Sequence, residues 1–116
     1  MKKTDSVYLE DILGAMKKVD QFLSGMSFVD FEQDDRTQFA VFHALEVIGE
    51  AANRLSTDFI EENTDFPIRE SVGMRNFIIH GYDQIRLDIV WKTIENDLPK
   101  LREKVENILL LIRLKT

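Results

Sequence analysis

Arg75, His80 and Tyr82 fall in one short stretch, Gly73-Met74-Arg75-Asn76-Phe77-Ile78-Ile79-His80-Gly81-Tyr82, and His80 is one of only two histidines in the chain. Met74, Phe77, Ile78 and Ile79 fill the intervening positions, so Arg75, Asn76 and His80 are the polar exceptions in a segment built for burial. Arginine grips phosphate oxygens bidentately and stays charged. Histidine titrates near neutral pH and moves protons in either direction. Together they suit RNA cleavage without a metal. Such cleavage needs a base for the ribose 2′-hydroxyl proton, an acid for the leaving oxygen, and a cation beside the phosphorane. One such histidine per chain leaves one proton-transfer role unfilled, and a symmetric homodimer would supply the second copy. The competing reading is structural: His80 as a helix-end residue, and Arg75 as the ion-pair partner of a Glu or Asp. An isolated Arg-x4-His pair is a weak signal by itself.

The elements that must hold this stretch read as helices. The chain has 116 residues, enough for one domain over 1–116, with 44% apolar and 31% charged residues. Five Gly and two Pro leave little material for the turns of an all-β fold. Helix one is expected over about Ser6 to Ser24, capped by Asp5 or Ser6 and ended by Gly25, with a stripe of Leu9, Ile12, Leu13, Met16, Val19, Phe22 and Leu23. Phe28 and Phe31 are expected to plug the core from a loop.

Helix two is expected from Asp34 or Asp35 to Leu55. Its apolar residues cover more than one face, which marks a central or interface helix. Gly49, Ala51 and Ala52 would admit a close neighbour, and Glu50 and Arg54 are spaced to pair. A short turn near Asp58 to Glu62 precedes a loop ending at Pro67, which suits the first turn of helix four. That helix is expected to run to Ile79 or His80 and stop at Gly81. Five residues along a helix turn by about 140°, so Arg75 and His80 would meet only at the helix end. Asn76, four before His80, is placed to orient the ring, or else bonds to nearby backbone. Helix five begins near Leu87 or Asp88, and Pro99 should kink or break it near Asp97. The fold class is all-α, an up-down bundle of four to five helices.

Composition excludes several function classes. No cysteine is present, so there is no disulfide framework, thiolate metal site or cysteine nucleophile. The net charge of −6 argues against a basic coat for duplex nucleic acid, though not against a local cluster of arginines. No signal peptide is evident, and the apolar run Ile108 to Ile112 is too short for a bilayer. A cytoplasmic protein with no membrane partner is expected. His43, Glu46 and Glu50 could be read as a metal cluster, but one His-x-x-Glu is too few ligands, and no metal or cofactor is expected. Glu46 and Glu50 read as a solvated or ion-paired helix face. Trp91 and the phenylalanines read as core.

The segment Met74 to Tyr82 resembles the Arg-x4-His-x-Tyr signature of HepT-like proteins of the HEPN class. Ala40 to Ala52 resembles that family's central helix, and Asp88 to Lys92 with Asp97-Leu98-Pro99 resembles its last helix. The likeness covers about Tyr8 to Leu109. Two positions depart from it: Ile68 stands where many relatives carry Trp, and Arg86 where they carry an acidic residue, adding a positive charge near the motif. The resemblance implies a dimerising helical bundle whose motif arms form a composite ribonuclease cleft. It also implies the toxin half of a type II or type VII-like toxin–antitoxin pair. The partner would be a nucleotidyltransferase antitoxin that transfers AMP to the motif tyrosine, here Tyr82. Arg75 and His80 would be catalytic on an RNA substrate, with Asn76 behind them. The alternative is a non-catalytic helical module that binds nucleotide or protein through the same polar helix end.

Overall fold

In the computed structural model the described residues are 2–76 and 85–115, all helix, turn or loop. Among the described residues the helices are α1 (Lys3–Leu23), α2 (Phe28–Glu32), α3 (Asp35–Asn53), α4 (Thr57–Glu62), α5 (Ile68–Gly73) and α6 (Leu87–Lys115). The all-α bundle expected from the periodicities is the fold observed. No helix among the described residues is long and apolar enough to cross a membrane.

Helix α1 packs against both α3 and α6. Arg102 and Arg113 of α6 pair with Asp20 and Glu10 of α1 at 2.6 and 3.2 Å, and this opposed numbering makes the two helices antiparallel. At 29 residues α6 spans about 43 Å from the rise per residue, which matches the 45 Å long axis. Pro99 lies inside it without ending it. Pro99 and Glu95 are both on the exposed side, so water can satisfy the Glu95 carbonyl that proline leaves without a donor.

Helix α3 is central, as its many-sided apolar pattern requires. It packs against α1, α2 and α5, and Val41, Phe42, Ala44, Leu45, Ile48, Ala51 and Ala52 are all buried. Asp34 caps it, accepting from the Thr37 amide at 3.0 Å and from the Thr37 hydroxyl at 2.8 Å.

Three expectations need correction. Phe28 and Phe31 sit on a helix, α2, not in a loop. Ser27 and Asp30 cap it reciprocally at 3.2 and 3.0 Å, a pairing that spacing could have revealed. Phe31 is fully buried, and the half-buried Trp91 packs against the core through Phe31 at 5.5 Å and Phe28 at 5.7 Å. Second, α1 starts at Lys3, so Asp5 lies in its first turn and Ser6 does not cap it. Third, the helix expected to run on from Pro67 is interrupted after Gly73, Asn76 is helical again, and the expected end at Ile79 or His80 lies outside the described residues. The Met74 and Arg75 amides bond to the Ser71 and Val72 carbonyls, three residues back, at 3.2 and 3.3 Å. That is the tightened turn that often closes a helix, and Gly73 offers little helix propensity to resist it.

Asp5 ties two helix starts together. It is fully buried, and its carboxylate accepts from the Lys2 amide (2.9 Å), the Ser56 amide (2.8 Å) and the Ser56 hydroxyl (2.6 Å). Ser56 in turn caps α4 through the Phe59 amide at 3.1 Å. Burial alone would push the Asp5 carboxyl up, but the hydrogen bonds from Ser56 and Lys2 outweigh it and hold the group below the ordinary 3.8. A lowered native value stabilises the fold above the unfolded value, and that stability is lost as pH falls through the lower native one. Asp5→Ala should therefore cost about 1–3 kcal/mol at neutral pH, because three donors lose their acceptor. In urea unfolding, the gap between wild type and variant should narrow as pH drops below 3.8. A gap that stays constant into strong acid would contradict this assignment.

Candidate functional site

Arg75 sits on the tightened turn after α5, pressed against α3. Two features of α3 receive it. Gly49 is buried, and a Cβ there would lie 2.7 Å from both the Arg75 Cβ and the Arg75 backbone nitrogen, and 3.1 Å from the Val72 carbonyl oxygen. No side chain fits in that space, so glycine is what lets the chain lie on the helix. The next residue, Glu50, accepts a hydrogen bond from Arg75 Nη1 at 2.9 Å. The Arg75 side chain is 30% exposed and that of Glu50 46%. A pair this wet contributes at most about 1 kcal/mol to folding. Its consequence is orientation more than stability.

The anchors around Arg75 are local. Ser71 is fully buried and its hydroxyl donates to the Pro67 carbonyl at 2.6 Å. Met74 is 1% exposed and pins the turn to the core one residue before the arginine. Arg75 Nε is buried and has no hydrogen-bond partner among the described residues. Of the five guanidinium N–H groups, one therefore goes to Glu50 and one faces inward, which leaves the second Nη1 proton and the Nη2 pair without a partner among the described residues. That is a sufficient set of donors for a bidentate contact to an anion.

Asn76 follows on the outside. It is exposed, and its amide nitrogen lies near Gly73, where an added Cβ would be 3.9 Å away. His80 and Tyr82, the expected proton-transfer residue and AMP acceptor, lie outside the described residues. Arg86 is described, and its expected positive contribution is cancelled locally. Asp88 accepts from its Nε at 3.1 Å and from its Nη2 at 2.8 Å. These hydrogen bonds, with the attraction between the charges, raise the arginine's pKa and lower the aspartate's.

The sequence suggested that Glu50 would pair with Arg54, four residues on. In the structure its ion pair is with Arg75, twenty-five residues on. No periodicity could have found this contact. The one sequence hint was the glycine beside Glu50 in a helix otherwise rich in alanine. Glu46, Glu50 and Arg54 also line a hollow of about 280 Å³ between α1 and α3, with Tyr8, Asp11 and His43. Among the described residues no group of three or more His, Asp or Glu side chains is arranged to hold a metal ion.

A model of the "Ribonuclease HepT-like" family matches residues 12–108, most of the chain. The chain belongs to the HepT-like family. "Probable ribonuclease HepT" of Thermococcus cleftensis is 40% identical over 108 residues, 93% of this chain and 98% of that protein. A protein of Methanocaldococcus jannaschii is 36% identical over 91% of this chain and 98% of its own length. One from Caldanaerobacter subterraneus is 37% identical over 92% and 96%. Both carry RNase in their names as a provisional assignment. No solved structure matches the chain.

Gly49 provides a test of this arrangement whose sign is informative. Glycine to alanine inside an unobstructed helix stabilises by about 0.5–1 kcal/mol. Here the new methyl meets backbone and Cβ of Arg75, and overpacking of that kind costs about 1–3 kcal/mol. Gly49→Ala should lower the urea midpoint. A raised midpoint would mean that α3 and the Arg75 turn do not touch as described.

Proposed function

We propose that the chain is a metal-independent endoribonuclease acting as the toxin of a toxin–antitoxin pair. The observation that carries the proposal is the Arg75 guanidinium, held on α3 by Glu50 with donors to spare, at the motif arginine of a HepT-like chain. Its 40% identity to a relative named a ribonuclease supports the reaction class.

In this reading Arg75 binds the scissile phosphate and stabilises the charge that grows on its oxygens. The ribose 2′-hydroxyl attacks phosphorus, a base takes its proton, and the 5′-oxygen leaves with a proton from an acid. The products are a 2′,3′-cyclic phosphate and a 5′-hydroxyl. His80 supplies one of the two proton-transfer roles, and a second copy in a homodimer supplies the other, so the cleft is composite. Asn76 serves to orient the histidine. A nucleotidyltransferase antitoxin silences the site by placing AMP on Tyr82, the phenol oxygen displacing pyrophosphate from the α-phosphorus of ATP. The added nucleotide brings bulk and negative charge to the place where RNA phosphate must bind. The chain is expected to work in the cytoplasm.

The test is cleavage of total tRNA and of a long single-stranded RNA, in EDTA, by wild type and His80→Ala. Wild type should cut. His80→Ala should be slower by about 10²–10⁴-fold, the range of a lost general acid or base, with an unchanged helical circular dichroism spectrum. Equal cutting by the variant removes His80 from the mechanism. Silence from a wild type whose intact mass shows no added nucleotide removes the enzyme reading, and nucleotide binding lost on Arg75→Ala would then identify a binding module.

A further inference from the structure

We infer that Gly49 and Glu50 form a seat on α3 that sets the position of the Arg75 guanidinium, with Glu50 a positioning residue that acts through Arg75. The inference rests on the ribonuclease reading for its catalytic consequence, but the seat itself is a matter of geometry. Two consecutive residues of α3 grip the two ends of one arginine. Gly49 receives its backbone nitrogen and Cβ in a space closed to any side chain. Glu50 receives its Nη1 at 2.9 Å. Between these points Nε is buried, without a partner among the described residues. The side chain is thus fixed at its root and at its tip, and the exposed donors are those of Nη2 and the second Nη1 proton.

Arginine has four rotatable side-chain bonds and loses its orientation easily unless held. A carboxylate beside a phosphate-binding arginine also carries a cost, since it repels the phosphate. Holding the guanidinium and repelling the substrate are separable by substitution. Glu50→Gln keeps an oxygen acceptor and removes the charge. Glu50→Ala removes both.

The experiment measures RNA cleavage by full-length wild type, Glu50→Gln, Glu50→Ala, Arg75→Ala and the Glu50→Ala/Arg75→Ala double variant. Glu50→Ala should lower kcat/KM by roughly 10- to 100-fold, the scale of a small misplacement of a catalytic group. Glu50→Gln should recover most of that rate, and Glu50→Ala should cost nothing further once Arg75 is gone. An unchanged rate in Glu50→Ala, an equal loss in Glu50→Gln, or an additive loss in the double variant overturns the inference while leaving the ribonuclease reading intact. If wild type itself does not cut RNA, that reading fails, and the seat is judged by NMR. The Arg75 Nε–H resonance, assigned through Arg75→Lys, should shift and broaden in Glu50→Ala. A resonance that stays in place overturns the seat.

Discussion

Helix α3 is buried on more than one side, and the other elements are arranged to cover it. Its apolar residues point toward α1, α2 and α5 at once, so no single neighbour could remove them from water. The long antiparallel partner α1 takes one side and is itself backed by α6. The short helices α2 and α5 take the remainder. A helix enclosed in this way needs small residues where a neighbour's backbone comes closest. Gly49 fills that need at the turn that carries Arg75. Packing of the core and placement of the candidate site are therefore one constraint: the glycine that lets α3 be covered also decides where the arginine lies.

The electrostatics fit a small local site better than a broad binding surface. The chain carries 21 acidic against 15 basic side chains. Several of the described cations, Arg86, Arg102, Lys104 and Arg113, are engaged with carboxylates. A surface of that kind makes little use of counterion release over a long nucleic acid. Any phosphate recognition has to come from donors concentrated at one place, and among the described residues Arg75 keeps such donors free after its contact with Glu50. The pairs between α6 and α1 serve the bundle instead. They join exposed groups on the two long antiparallel helices.

Much of the molecule could be read from residue order. The stripe of Leu9, Ile12, Leu13, Met16 and Val19 gave α1. Asp34 before an apolar run gave the start of α3, and the spacing of Val90, Leu98, Leu101, Val105 and Leu109 gave α6. The motif around Arg75 gave the family. The misreadings have physical causes. Phe28 and Phe31 are too few apolar residues to show a period, so the five-residue helix α2 leaves no periodic signal in the sequence. Apolar residues continue past Gly73 in the sequence, whereas the backbone tightens there into three-residue hydrogen bonds.

What the sequence alone determined is the set of local preferences: which segments are helical, which faces are apolar, and which residue types gather at the motif. These depend on neighbours within a turn or two of chain. Tertiary structure alone decided which distant groups meet. Asp5 finds Ser56 fifty-one residues away, and Glu50 takes Arg75 in place of the nearer Arg54. The reason is that a carboxylate on a helix has several cations within reach in sequence. The one it meets is set by how the helices pack, and here by a single glycine that leaves room for the arginine's backbone.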